Sequence, residues 1–153
     1  MPALSIGRSL QLTAIAGRDM KSMVECWTFN QELMDIKGMK IQLLGDLTGA
    51  TYTEIPAEAD LKQGPYNAPA LQFFTILEGN ATITFPTSDE VLHVKPSKLY
   101  IAADNAATSE LGHYTVVRAG SRLLQFPFKD GVVPEHTAVK GECDTAHAVR
   151  DEL

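Results

Sequence analysis

Cysteine and tryptophan are nearly absent from this chain, which holds two Cys and one Trp in 153 residues. Cys26 and Cys143 stand alone, without metal-binding or redox spacing, so neither a thiolate metal cluster nor a disulfide scaffold is expected. They read as free thiols of a cytoplasmic protein. Basic excess is missing too: 13 Lys and Arg face 19 Asp and Glu, for a net charge of −6. That balance, without any Lys/Arg cluster, argues against a nucleic-acid groove. No apolar run approaches the roughly 18 residues a membrane span needs. The opening segment MPALSIGRSLQLTAIAGRDM has no continuous apolar core behind a basic start, so a secretory signal is not expected. The last four residues, Arg150-Asp151-Glu152-Leu153, look like an endoplasmic-reticulum retrieval signal. Without an entry signal, coincidence is the expectation. Gly-rich phosphate loops, nucleophile elbows, zinc spacings and dinucleotide fingerprints are all lacking.

What the chain does hold is β pattern. Residues 71–86 read as two strands around Gly79-Asn80, filled with aromatic and β-branched residues. Gly79-Asn80 can take the positive φ angles of a tight hairpin. Apart from Gln72 and Thr75, both faces of the first arm are apolar, as expected of a strand covered on both sides. Further strands are expected at residues 24–29, 39–44, 51–55, 90–95 and 98–102. Residues 114–118 and 122–128 read as a last hairpin around Ala119-Gly120-Ser121. Residues 30–37 read as a helical turn or loop, 57–70 as a loop broken by Gly64, Pro65, Asn67 and Pro69, and 104–112 as a polar loop. The tail after Asp130-Gly131 is polar, with a helical turn expected around residues 146–149. Alternating apolar positions Leu4, Ile6, Leu10 and Leu12 mark an N-terminal arm, residues 1–29, that pairs with the body or with a second subunit. Short strands with turn signals at about 8–12-residue spacing make this an all-β protein, a barrel or sandwich in a single domain. Its core spans about residues 38–128 and its polar tail 130–153.

Gly64 to Phe128 resembles a cupin, the double-stranded β-helix or jelly-roll barrel. In the first cupin motif six residues separate a glutamate from a following glycine, and Gln72 stands in that glutamate's place before Gly79. Pro96-Ser97-Lys98 sits where the second motif begins, and His113 matches that motif's histidine after a long connection. Asn67-Ala68-Pro69-Ala70-Leu71-Gln72 and Gly112-His113-Tyr114-Thr115 are similar to a branch of small cupins found beside metabolic enzymes. The first motif's two histidines would fall at Pro65 and Asn67, or at Tyr66 and Ala68, and neither pair is histidine. The branch's usual histidine before the Asn is Tyr66 here.

The ligands that remain are one imidazole, one carboxamide and one phenol, a poor set for a transition metal. No metal and no cofactor is therefore expected. The resemblance implies a greasy cavity with Gln72, Phe74 and Ile76 facing inward on one strand and His113, Thr115 and Val117 on another. His113 is the candidate general acid or base, Gln72 orients a carbonyl or phenol, and Tyr66 donates to a developing oxyanion. Tyr52, Glu54, Tyr100 and Asn67 are candidate substrate contacts, while Asp104 and Glu110 lie in a loop read as a lid. His93 reads as a surface strand residue, and His136 and His147 as solvated tail residues. The expected activity is metal-independent proton transfer (isomerisation, dehydration or cyclisation) on a hydrophobic oxygenated molecule such as a polyketide-like or aromatic metabolite. Two alternatives stay open: a metal-dependent cupin oxygenase with atypical ligands, and a non-catalytic binding or assembly module. By analogy the chain is expected to form a homodimer through its N-terminal strands.

Overall fold

A computed structural model describes residues 7–143. Leu4, Ile6, the helical turn expected at 146–149, His147 and the terminal Arg150 to Leu153 lie outside the described residues. Thirteen strands follow one another without an α-helix among these residues. They are β1 (Ser9–Arg18), β2 (Lys21–Glu32), β3 (Met34–Ile36), β4 (Met39–Ile41), β5 (Thr51–Glu54), β6 (Leu61–Tyr66) and β7 (Gln72–Glu78). Then come β8 (Ala81–Thr84), β9 (Val91–Val94), β10 (Leu99–Ala102), β11 (His113–Val117), β12 (Arg122–Pro127) and β13 (His136–Lys140). A 3-10 turn at Lys129–Gly131 separates the last two.

The strands form a seven-stranded sheet in the order β13-β2-β1-β10-β7-β12-β5, a four-stranded sheet β6-β11-β8-β9, and the small hairpin β3-β4. The two large sheets share one core. Ile15, Val24, Ile76 and Tyr100 from the first meet Ile83, Leu92, Val94 and Val117 from the second. A second cluster, with Ala14, Trp27, Phe29, Phe73 and Ile101, covers the opposite face of the seven-stranded sheet. Leu44, Phe128 and Val133 pack there from the segments before β5 and after β12. Those segments clasp each other, Thr48 N–H donating to Pro127 O and Lys129 N–H to Asp46 O. Apolar burial on both faces explains why β7 and β10 read as nearly continuous apolar runs.

Several pairings differ from the expectation. Residues 71–86 are not a hairpin, because β7 pairs with β10 and β12 whereas β8 pairs with β11 and β9. Gly79, at φ +95°, instead carries the chain from one sheet to the other, and Asn80 keeps a negative φ. Likewise β11 and β12 belong to different sheets rather than to a last hairpin. Glycine-rich turns reverse the chain without choosing its partner, and here two of them pass between layers. The stretch read as a loop at 57–70 contains β6, which pairs with β11. The polar tail supplies β13, paired with β2 from His136↔Phe29 to Lys140↔Glu25.

The N-terminal strands are built into the body. β1 lies between β2 and β10, the latter parallel to it, so it is no free arm for a second subunit. The β1–β2 turn places Asp19 and Met20 at φ 52° and 60°, the type I′ geometry, without the usual glycine. The thiols are also corrected: Cys26 and Cys143 form a disulfide, their Cα atoms 4.6 Å apart. Beyond β13 the chain turns back across β2 and β1, Gly141 N–H donating to Val24 O and Cys143 N–H to Thr13 Oγ1. A 117-residue separation conceals that pairing from the sequence. The free thiols were the ground for a cytoplasmic reading, and a disulfide removes it.

Candidate functional site

A cavity of about 350 Å³ opens between the two sheets. Strand alternation aims Gln72, Phe74 and Ile76 of β7 into it from one side, and His113, Thr115 and Val117 of β11 from the other. The ladder arranges these residues in layers. His113 is level with Tyr66, and Gln72 with Ala102. One layer deeper, Thr115 is level with Gln63, and Phe74 with Gln125. Deepest of all, Val117 is level with Leu61 and Ala81, and Ile76 with Leu123. Tyr66, Gln63 and Pro69 are exposed, which marks the His113 end as the mouth. Gly112 makes the mouth possible: at φ +74° its Cα lies so close to Tyr66 that a Cβ would sit 2.1 Å from the Tyr66 carbonyl.

His113 is buried at 7% exposure, and its Nδ1 lies 2.6 Å from Asp104 Oδ2. Asp104 is completely buried. It also accepts from Ser22 Oγ at 2.5 Å, and Ser22 Oγ lies 2.7 Å from Ser109 Oγ. Asn67 Nδ2 donates to the backbone oxygens of Asp104 and Ser109 at 3.1 and 2.8 Å, fixing the loop that carries both. With Asp104 Oδ2 accepting the Nδ1 proton, Nε2 is left as the acceptor for whatever the cavity holds. Ser22 bonds the aspartate rather than the imidazole, so it stands on the wrong side of the pair to act as a nucleophile.

Gln72 is buried at 5% exposure beside this imidazole's layer. The Tyr66 hydroxyl donates to Gln63 Oε1 across the rim. Burial pushes the Tyr66 phenol above its ordinary pKa, which keeps its proton on. As metal donors these groups do not fit a transition dication. Nδ1 is committed to Asp104, Gln72 is neutral and Tyr66 is protonated. Among the described residues, no three His, Cys, Asp or Glu side chains converge where a metal ion would sit.

Other sequence candidates lie elsewhere. Tyr52 and Glu54 bond each other at 2.6 Å on the exposed face of β5, where Thr53 is the residue that lines the cavity. Tyr100 stacks behind Phe74 with ring centroids 5.3 Å apart, and its hydroxyl accepts from Lys95 N–H. Asn67 braces the loop instead of touching the cavity. The loop itself is no lid. It is pinned to the β1–β2 turn through Glu110 N–H to Met20 O, with Asp104 buried beneath and Glu110 exposed. His93 is exposed on β9. His136 is no solvated tail residue, since its ring stacks on Trp27 at 3.8 Å.

Sequence reasoning missed Asp104 as the partner of His113, and Ser22 as the partner of Asp104. An acid nine residues before a candidate histidine was the available signal for Asp104. Ser22 had none, because it reaches Asp104 only through the parallel pairing of β1 with β10. Comparison with protein-family models, curated proteins and solved structures finds no match to this chain.

Proposed function

We propose that the two sheets are the halves of a cupin-type jelly roll, and that its cavity binds a hydrophobic oxygenated small molecule and moves a proton on it. The alternation of β5 through β8, and of β9 through β12, between the sheets supports the fold reading. The observation that carries the activity is the 2.6 Å contact between His113 Nδ1 and the buried Asp104, with the imidazole lining the cavity. In this reading Nε2 removes a proton from a carbon next to a carbonyl and returns it at a second position. Gln72 and Tyr66 donate to the oxygen on which negative charge develops. Isomerisation, dehydration and cyclisation all share that first step. The enzyme needs no metal in this scheme.

The test is deuterium uptake from D2O into neutral aromatic ketones, followed by mass spectrometry. Wild type is expected to accelerate exchange, and His113→Gln to lower the rate by about 100-fold or more. Asp104→Asn, which frees the wrong tautomer, is expected to lose a comparable factor while ligand affinity is retained. Equal exchange by wild type and His113→Gln would sink the proton-transfer reading and leave a binding module. Elemental analysis showing about one bound metal per chain would favour the oxygenase reading instead. The disulfide supports an oxidising compartment as the working environment. A second copy of the chain is proposed as partner through an edge strand such as β13 rather than through β1. Light scattering that gives only a monomer at micromolar concentration would remove that partner.

A further inference from the structure

The cavity is most apolar at its inner end. Gln72, His113 and Tyr66 stand at the mouth, Gln63, Gln125 and Thr115 lie one layer deeper, and Ile55, Ile76, Ala81, Val94 and Val117, each less than 10% exposed, close the inner end with Thr53 at its side. Among the described residues, no Asp, Glu, Lys or Arg lines the cavity. Its one basic side chain, His113, is already bonded through Nδ1 to the buried Asp104, so it offers the cavity no unpaired counter-charge. A carboxylate or phosphate entering this space would lose its hydration and gain no net counter-charge. An ammonium group would find no acid. An uncharged head finds donors and acceptors in Gln72, Tyr66 and the Nε2 of His113.

We propose that the ligand is an uncharged amphiphile that enters hydrocarbon end first, and that the inner cavity sorts such molecules by hydrocarbon length. This rests on the reading of the cavity as a small-molecule site and names the ligand class. The polar head stops level with His113 and Gln72, and the tail runs along Phe74 and Thr115 to the floor at Ile76, Ala81 and Val117. Leu61 and Leu123 line that floor from the two opposing sheets, so a larger side chain at either shortens the cavity.

The experiment is calorimetric titration of the full chain with 4-alkylphenols of increasing tail length, alongside 4-alkylbenzoates and alkyltrimethylammonium salts of matched length. Affinity for the phenols is expected to rise about four-fold per added methylene until the floor is reached, then to fall. The two charged series are expected to bind at least about 100-fold more weakly. Leu123→Phe and Leu61→Phe, each checked for folding by circular dichroism, are expected to shift the optimum to a shorter tail. Charged ligands binding as well as phenols, a flat dependence on length, no binding of the phenols, or an unmoved optimum in both folded variants would each overturn the proposal. Deuterium exchange separates it from the catalytic reading. Length-dependent binding without exchange leaves this inference standing and removes proton transfer.

Discussion

Glu25 shows how a single carboxylate is kept charged inside an apolar face. It is 6% exposed on the outer side of the seven-stranded sheet. Burial pushes its pKa up, but Arg18 Nε at 2.8 Å, Trp27 Nε1 at 2.9 Å and the nearby charges of Arg18 and His136 outweigh burial and bring it below the ordinary value. A carboxyl with a lowered folded-state pKa stabilises the fold at any pH above its unfolded value, about 4.3. That stabilisation is lost as pH falls through the lower folded value. Urea unfolding is therefore expected to show an acid-side loss that Glu25→Gln flattens. At pH 7, Glu25→Ala is expected to cost about 1–2 kcal/mol, kept small because Arg18 is half exposed. At the cavity, the resemblance to cupins singled out His113, Gln72 and Tyr66, and all three line it. The resemblance did not recover Asp104, because a buried partner is chosen by the fold around it and not by its own neighbours in sequence.

Among the elements, the crossings between sheets matter more than the strands. Gly79 lies at φ +95°, and a Cβ there would be 2.1 Å from Ser121 Oγ and 2.9 Å from its Cα. Ser121 is fully buried and its backbone oxygen accepts from Ile55 N–H, so it has little room to yield. Gly79→Ala is expected to lower stability by about 2–3 kcal/mol, read from the denaturant midpoint at unchanged m-value. Gly120→Ala is the control: its φ is +75° but nothing lies within 4 Å of the added carbon, so about 1 kcal/mol is expected. Most strands were legible from alternation, among them β2, β5, β7, β9 and β10, because each buries apolar residues at a period of two or on both faces. β6 was hidden by its own Gly64-Pro65, which reads as a loop. β13 was hidden by its polar side chains, as an edge strand needs burial on only one side. The partner of each strand was illegible for a further reason. Local turn chemistry announces a reversal, whereas the choice between neighbouring strand and opposite sheet is made by contacts distant in the chain.

For the molecule as a whole, the disulfide is the main correction to the sequence reading. It closes a loop spanning 117 residues and fastens the segment after β13 onto β2. A loop of that length confines the unfolded chain strongly, so the double variant Cys26→Ser, Cys143→Ser is expected to lose about 2–4 kcal/mol. Thiol titration of the unfolded, unreduced protein is expected to find neither cysteine free, and about two thiols per chain would remove the bond.

The covalent loop from Cys26 to Cys143 encloses every residue that lines the cavity except Ile15, which precedes it. A protease that cut the exposed segment between β5 and β6 would therefore not release a fragment. The nicked protein would migrate as one species without reductant and as two with it, and the cavity walls would stay tethered to each other after the backbone was broken.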